Sequence, residues 1–366
     1  MTQDPGLRGW LRLSLTPGIG PATLRGLLSK YGLPDAVLAR SRSELAQFAS
    51  STSLDAMNSA SVDRAVERAL GWLKDEGCAI VTLADESYPR ALLEIPDPPP
   101  VLYVRGRLEL LRWPALAVVG SRNATAQGEA NATAFATALS DAGLTIVSGL
   151  ALGIDAAAHR GGLAGASSTI AVLGTGIDTI YPRANAELAS RIGREGLLVS
   201  EFPLGTPAAQ HHFPRRNRLI SGLSRGCLVV EAAIASGSLI TARAAAEQGR
   251  EVFAIPGSIH SPLAKGCHAL IKSGAKLVES ADDVLAELSG MRSAAAAAQR
   301  APRSEGASGE TGLLAHMGHD PVDIDLLCQR AGLSAEQVSA ELLRLELDGR
   351  VSTLPGGLYQ RLEGAQ

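Results

Sequence analysis

A chain of 366 residues with 46% hydrophobic and 19% charged residues is long enough for one large core plus one or two small modules, and its net charge of -3 makes any cationic site a local one. No run of about 18 apolar residues occurs, which excludes a helical membrane span, and the first ten residues lack the basic start and apolar block of a signal peptide. The four cysteines (Cys78, Cys227, Cys267, Cys328) are scattered without metal or redox spacing, so reduced thiols in a cytoplasmic protein are expected.

Residues 1–75 read as short helices at Leu7–Leu15, Pro21–Tyr31, 42–48 and 62–73. Between the first two lies Pro17-Gly18-Ile19-Gly20-Pro21, which resembles a helix-hairpin-helix (or SAM-like) turn. Such a turn can aim backbone N–H groups at a DNA phosphate, with Arg12, Arg25 and Lys30 nearby; a plain helix-helix connection is slightly favoured. Residues 76–290 alternate apolar β-branched runs with helical segments. The runs fall at 116–120, 144–149, 169–174, 197–201, 227–231 and 251–257; the helices at 128–142, 155–164, 185–193, 215–223 and 239–249. That alternation predicts an α/β fold with a doubly wound, mostly parallel sheet. Residues 291–310 are rich in Ala, Ser, Gly and Arg and read as a flexible linker. Residues 311–366 read as helix (322–331), turn, helix (Ala335–Leu347) and a hairpin turning at Pro355-Gly356-Gly357, a winged-helix pattern. Its second helix carries Glu336, Glu341 and Glu346, with Asp348 just beyond, against Arg344 alone, so a protein-contacting role is expected rather than major-groove reading. His316 and His319 lack further ligand candidates, and no metal is expected.

The loops after the strands carry the chemistry. Gly120-Ser121-Arg122 places backbone N–H groups, a hydroxyl and a guanidinium beyond a strand's carboxyl end, where ligands of open α/β sheets bind. Ser148-Gly149 begins a second loop that leads to Asp155 and His159, which share a helix face. A helix cap with a satisfied histidine is favoured there over a catalytic pair. Gly174-Thr175-Gly176 lacks the third glycine of a dinucleotide fingerprint, so no nicotinamide or flavin cofactor is expected. Arg183 brings a cation to the same edge, and Ser236-Gly237-Ser238 with Thr241 offers an anion site at a helix start. From Phe202 to Val230 there is no acidic residue, while Phe213, Arg215, Arg216, Asn217 and Arg218 crowd one segment. Forked guanidinium groups beside an aromatic ring suit a phosphate-bearing, base-bearing ligand. Phe213 reads equally as a base platform and as a core anchor.

In this order, Gly120-Ser121-Arg122, residues 148–159, 171–182, Ser200-Glu201, 213–224, 229–232 with 236–241, and 249–257 resemble the bacterial DNA-processing protein DprA (Smf) family. The likeness runs from Tyr88-Pro89 to about Ala275; Gly266-Cys267-His268 departs from it, where the family usually has asparagine near His268. The resemblance implies an extended Rossmann-like domain and a non-enzymatic role in natural transformation and homologous recombination. Such a protein binds and protects incoming single-stranded DNA, loads the RecA recombinase, and has single-strand-binding protein as a further partner. Carried over by motif, Arg122, Arg183, Arg215, Arg216 and Arg218 line the DNA site, with Phe213 as an aromatic face. The resemblance also implies a homodimer formed through the middle domain, for which Leu270, Ile271 and Leu277 are candidates. A competing reading is a nucleotide phosphoribohydrolase-like enzyme of the lysine-decarboxylase-like group. Residues 235–241 lack the Gly-Gly pair and glutamate that such enzymes carry.

Overall fold

The computed structural model describes residues 6–290, 312–317 and 321–362; the linker 291–310 and His319 lie outside the described residues. The chain begins with six helices: α1 (Leu7–Leu15), α2 (Pro21–Tyr31), α3 (Pro34–Leu38), α4 (Arg42–Leu45), α5 (Ser51–Met57) and α6 (Ala60–Trp72). Serine side chains set the starts of the last three, since Ser41, Ser50 and Ser59 each accept an N–H three residues on. Leu13, Ile19, Leu24, Leu27, Val37 and Leu54 form a small core of their own. Trp10 and Leu11 of α1 and Val62 and Val66 of α6 instead join a cluster with Tyr103, Ala171 and Leu198, so these helices are seated on the sheet that follows.

That sheet is built from β1 (Cys78–Thr82), a one-turn α7 (Arg90–Leu93), β2 (Val101–Gly106), β3 (Ala115–Val119), α8 (Ala126–Asp141), β4 (Thr145–Ser148), α9 (Ile154–Ala164), β5 (Thr169–Val172), α10 (Ala186–Glu195), β6 (Leu197–Ser200), α11 (His212–Gly222), β7 (Gly226–Val229), α12 (Ser238–Glu247), β8 (Glu251–Ala254), α13 (Lys265–Lys272), β9 (Lys276–Leu277) and α14 (Ala281–Gly290). The strand order is β1-β2-β6-β5-β4-β3-β7-β8-β9. The seven strands from β6 to β9 are parallel, and β2 and β1 extend that edge antiparallel. β3 shows why the apolar runs are unbroken: all five residues are buried, Ala117 and Val119 into one helical layer, Leu116 and Val118 into the other. The doubly wound expectation holds. The structure adds β1, β2, β9, α13 and α14 to the expected elements; β9 is only two exposed residues long and carries no burial pattern to read.

The C-terminal module contains β10 (Val322–Asp323), α15 (Ile324–Ala331), α16 (Ala335–Leu347), β11 (Val351–Leu354) and β12 (Leu358–Arg361), in a sheet ordered β10-β12-β11. The expected helix from residue 322 starts two residues later. Val322 pairs with Tyr359, and the Asp323 carboxylate accepts the Leu326 N–H at 2.7 Å. Among the described residues no helix is long and apolar enough to cross a membrane.

Candidate nucleic-acid interface

The chain moves outward from β3 through β4, β5 and β6, then returns to place β7 on the other side of β3. The crossovers after β3 and β7 therefore diverge, and a crevice opens between them beyond the carboxyl ends of the strands. It is a cleft of about 740 Å³. Of the residues singled out from sequence, Gly120, Ser121, Arg122, Phe213, Arg216, Asn217, Ser236, Gly237, Ser238 and Thr241 line it. Gly149, Arg183, Arg215 and Arg218 lie outside the lining.

The loops of the cleft are braced by hydrogen bonds. The Ser121 N–H donates to the Glu231 carbonyl at 2.8 Å, and the Ile154 N–H donates to the Ser121 carbonyl at 3.1 Å, tying three loops together. Both oxygens of the Glu231 carboxylate accept from Thr125, one from its N–H and one from its hydroxyl, which fixes the start of α8. Between β4 and α9 the backbone is held at Leu150, a buried residue at φ 59°. Such a conformation costs about 1–3 kcal/mol and persists only where the surroundings impose it. Here they do: Gly149 and Ala151 N–H groups donate to Asp155 Oδ2 (3.1 and 3.3 Å), the Leu150 N–H to His159 Nε2 (3.3 Å), and Asn185 Nδ2 to the carbonyls of Leu150 and Ala151 (2.9 and 3.0 Å).

His159 is fully buried, and its Nδ1–H donates to Thr169 Oγ1 (2.7 Å), whose hydroxyl in turn donates to the Ile146 carbonyl. Every polar atom of the ring is used in the neutral state. The satisfied-histidine reading is the one this geometry supports, but Asp155 does not cap the helix: Gly153 holds the cap position of α9, and the Asp155 carboxylate braces the preceding loop instead. Burial pushes His159 down to about 3, with Arg216 and Arg160 acting in the same direction. The folded state thus disfavours the imidazolium; its contribution is complete above the ordinary value of 6.5 and is lost as pH falls toward 3. The parent chain is expected to lose about 2 kcal/mol from this group between pH 7 and pH 5. Thermal melts of the parent and of His159→Gln across that range check it: the variant's curve should be the flatter one.

Within α11 the arginines divide between two faces. The helix starts at His212 rather than Arg215, because Pro214 falls in the first turn, where its missing N–H has no intrahelical acceptor. Phe213, Arg216, Asn217 and Ile220 then share the cleft face at i, i+3, i+4 and i+7. Arg216 is 4% exposed, and its guanidinium donates to the Val172 carbonyl at 2.7 Å. It lies so close to Gly149 that a Cβ there would stand 1.9 Å from a guanidinium nitrogen, which is why that position is glycine. Burial pushes Arg216 down to about 10 while Asp155 opposes the shift; burial likewise raises Asp155, opposed first by Arg216. Arg215 and Arg218 face away from the cleft and donate to Glu201 (3.1 and 2.5 Å).

Arg122 and Arg183 are exposed and make no ion pair among the described residues. The Arg122 guanidinium sits 5.6 Å from the centre of the Phe213 ring, and Tyr181 lies 5.8 Å from the same ring. Phe213 is half-buried, with its ring on Gly174. Tyr181, 49% exposed and on the cleft wall, carries no signal of an aromatic role in the sequence beyond its place beside Arg183. At the opposite wall, the Ser236 hydroxyl accepts the Ser238 N–H (3.3 Å) at the start of α12. One wall thus offers aromatic faces and a free guanidinium. The other offers hydroxyls and a helix N-terminus, a combination that accepts a base together with its phosphate. Of the dimer candidates, Leu270 and Ile271 pack against the core, while Leu277 is 50% exposed on the edge strand β9.

The family model described as DNA recombination-mediator protein A matches residues 79–289, and the DprA winged helix domain matches residues 293–357. Protein Smf of Escherichia coli (strain K12) is 44% identical over 308 residues, 82% of each chain. DNA processing protein DprA of Streptococcus pneumoniae is 51% identical over 206 residues, 56% of this chain and 73% of that one. Among solved structures, DprA from Streptococcus pneumoniae superposes with a TM-score of 0.69 at 38% identity, covering 78% of this chain and 99% of that chain. DprA from Helicobacter pylori, described for its single-stranded DNA binding mode, gives 0.53 at 29% identity over 58% of this chain and 96% of that chain.

Proposed function

The chain belongs to the DNA recombination-mediator protein A family, and we propose that it binds single-stranded DNA in the switch-point cleft. The observation that carries this reading is the pairing of Arg122, exposed and free of carboxylates, with the rings of Phe213 and Tyr181 across from the start of α12. Single strands present what that pairing takes: bases with open faces at every step and a phosphate between them. Duplex DNA hides its bases and is the poorer ligand. Arg183 continues the cationic edge outside the cleft. In the cell, the protein would protect incoming strands during transformation and recombination, load the RecA recombinase onto them, and contact single-strand-binding protein. It would work as a cytoplasmic homodimer, with Leu277 at the sheet edge as the exposed apolar candidate for the contact.

We read the protein as a binder rather than a catalyst. Asp155, which lines the cleft, and Glu231 behind the Ser121 loop already accept hydrogen bonds from neighbouring backbone and hydroxyl groups, and His159 is sealed in the core. Incubation with AMP is expected to release no adenine. The decisive test is a fluorescence-polarisation titration with matched single- and double-stranded oligonucleotides across salt. Tighter single-strand binding, with log affinity falling by about 0.7 per phosphate neutralised as log salt rises, is expected. Equal affinity for both, or no salt dependence, would remove this reading.

A chain ending at residue 290 is expected to keep single-strand affinity within about tenfold of the full chain, or 1.4 kcal/mol. On α16, Glu336 and Glu346 are exposed against Arg344 alone, and just beyond it the exposed Asp348 and Arg350 offset each other, a balance that does not favour phosphate. Parallel titrations at one salt concentration check it. A larger loss would assign the winged module a direct role.

A further inference from the structure

A chain of alternating charges runs from the N-terminal helices to the back of α11. It begins at Arg25 on α2, which pairs with Asp97 at 2.6 Å and donates to the Pro98 carbonyl at 2.9 Å. Asp97 pairs with Arg218 at 3.4 Å and accepts from it again through its backbone carbonyl. Arg218 pairs with Glu201 at 2.5 Å, and Glu201 closes the chain on Arg215 at 3.1 Å. Arg215 in turn stacks on Phe202, 5.3 Å from its ring centre. The Glu201 side chain is only 1% exposed, and a single one of its oxygens takes both arginines. A carboxylate so buried is costly to keep unless its partners are held in place, so the contact fixes the partners as much as it is fixed by them.

Arg215 and Arg218 are one turn apart on the face of α11 opposite Phe213, Arg216 and Asn217. Holding that rear face sets the rotation of the helix about its axis, and so the angle at which Phe213 meets Arg122 and Tyr181. We infer that Glu201 and Asp97 are positioning residues for the strand-binding cleft, coupling the N-terminal helices to α11 through this ion-pair chain. The N-terminal segment then supports nucleic-acid binding without touching the strand. Its Ile19-Gly20-Pro21 hairpin is consistent with that role, because it lines a small cavity against Pro99, Glu201 and Phe202.

This inference rests on the single-strand reading above, and the parent chain in the same titration tests that reading separately. The variants are Glu201→Gln, Arg25→Ala, Asp97→Ala and the double Arg25→Ala/Asp97→Ala, each measured well below its own melting temperature. Glu201→Gln is expected to weaken single-strand binding about tenfold, and Arg25→Ala several-fold, with the double variant no weaker than the worse single one. The slope of log affinity against log salt should stay at the parent's value in all four, because none of these residues neutralises a phosphate. Arg122→Ala, as the contrasting control, should lose about 0.7 of that slope. Should Glu201→Gln fail to fold, Arg25→Ala decides alone, since it lies on the helical segment and leaves the sheet's core intact. Unchanged affinity in folded variants would overturn the inference. So would tighter binding with a steeper slope, which would mean that freed Arg215 and Arg218 contact phosphate themselves. A parent chain that binds no single strand removes the function reading and this inference with it.

Discussion

Arg216→Ala is expected to melt roughly 6–12 °C below the parent, a loss of about 3 kcal/mol, before any question of DNA affinity arises. The sequence suggests a surface cation, whose removal would leave the fold untouched. In the structure the side chain is 4% exposed, donates to the Val172 carbonyl, and fills the space left by the missing side chain of Gly149. Truncation removes the positive charge facing the buried Asp155, leaves a carbonyl without its donor, and opens a void at the floor of the cleft. Gly149→Ala should reproduce much of the effect from the other side, because its new Cβ would stand where the guanidinium is. Calorimetry of both variants checks this. A parent-like melting temperature for Arg216→Ala would show that the residue is held for its ligand and not for the fold.

The second large effect is on binding. Phe213→Ala is expected to weaken single-strand affinity by about 1–3 kcal/mol, the range found for loss of one base-stacking aromatic, with little change in salt slope. Arg122→Ala should weaken it through charge and make the slope shallower. The two side chains are in contact, 5.6 Å between guanidinium and ring centre, so their effects should not add. The double variant is expected to fall short of the summed losses, and Tyr181→Ala should show a smaller loss of the stacking kind. Titration of the four proteins at three salt concentrations separates the contributions. Full additivity would mean that Arg122 and Phe213 serve different parts of the strand.

The α/β architecture was legible in the sequence because its signal is local. The run ending at Gly120 is apolar at every position and the one ending at Gly149 is broken only by the small Thr145 and Ser148, as a strand buried on both faces requires, and the intervening helical stretches force parallel pairing. The loop residues of the cleft were legible for the same reason: in such a sheet they must emerge at one edge, whatever the packing. The turn at Pro355-Gly356-Gly357 likewise acts within a few residues. What the arginines of α11 do was not legible. Their roles depend on the rotational setting of the helix and on groups far away in the chain: Glu201, 14 and 17 residues before Arg215 and Arg218, and Val172, 44 before Arg216. An arginine beside a carboxylate and an arginine beside water have the same sequence neighbours. Only the packed structure, by burying one guanidinium, pairing two and leaving Arg122 and Arg183 in solvent, decides which charges remain available to a phosphate, since a charge already desolvated and paired has little left to offer a ligand.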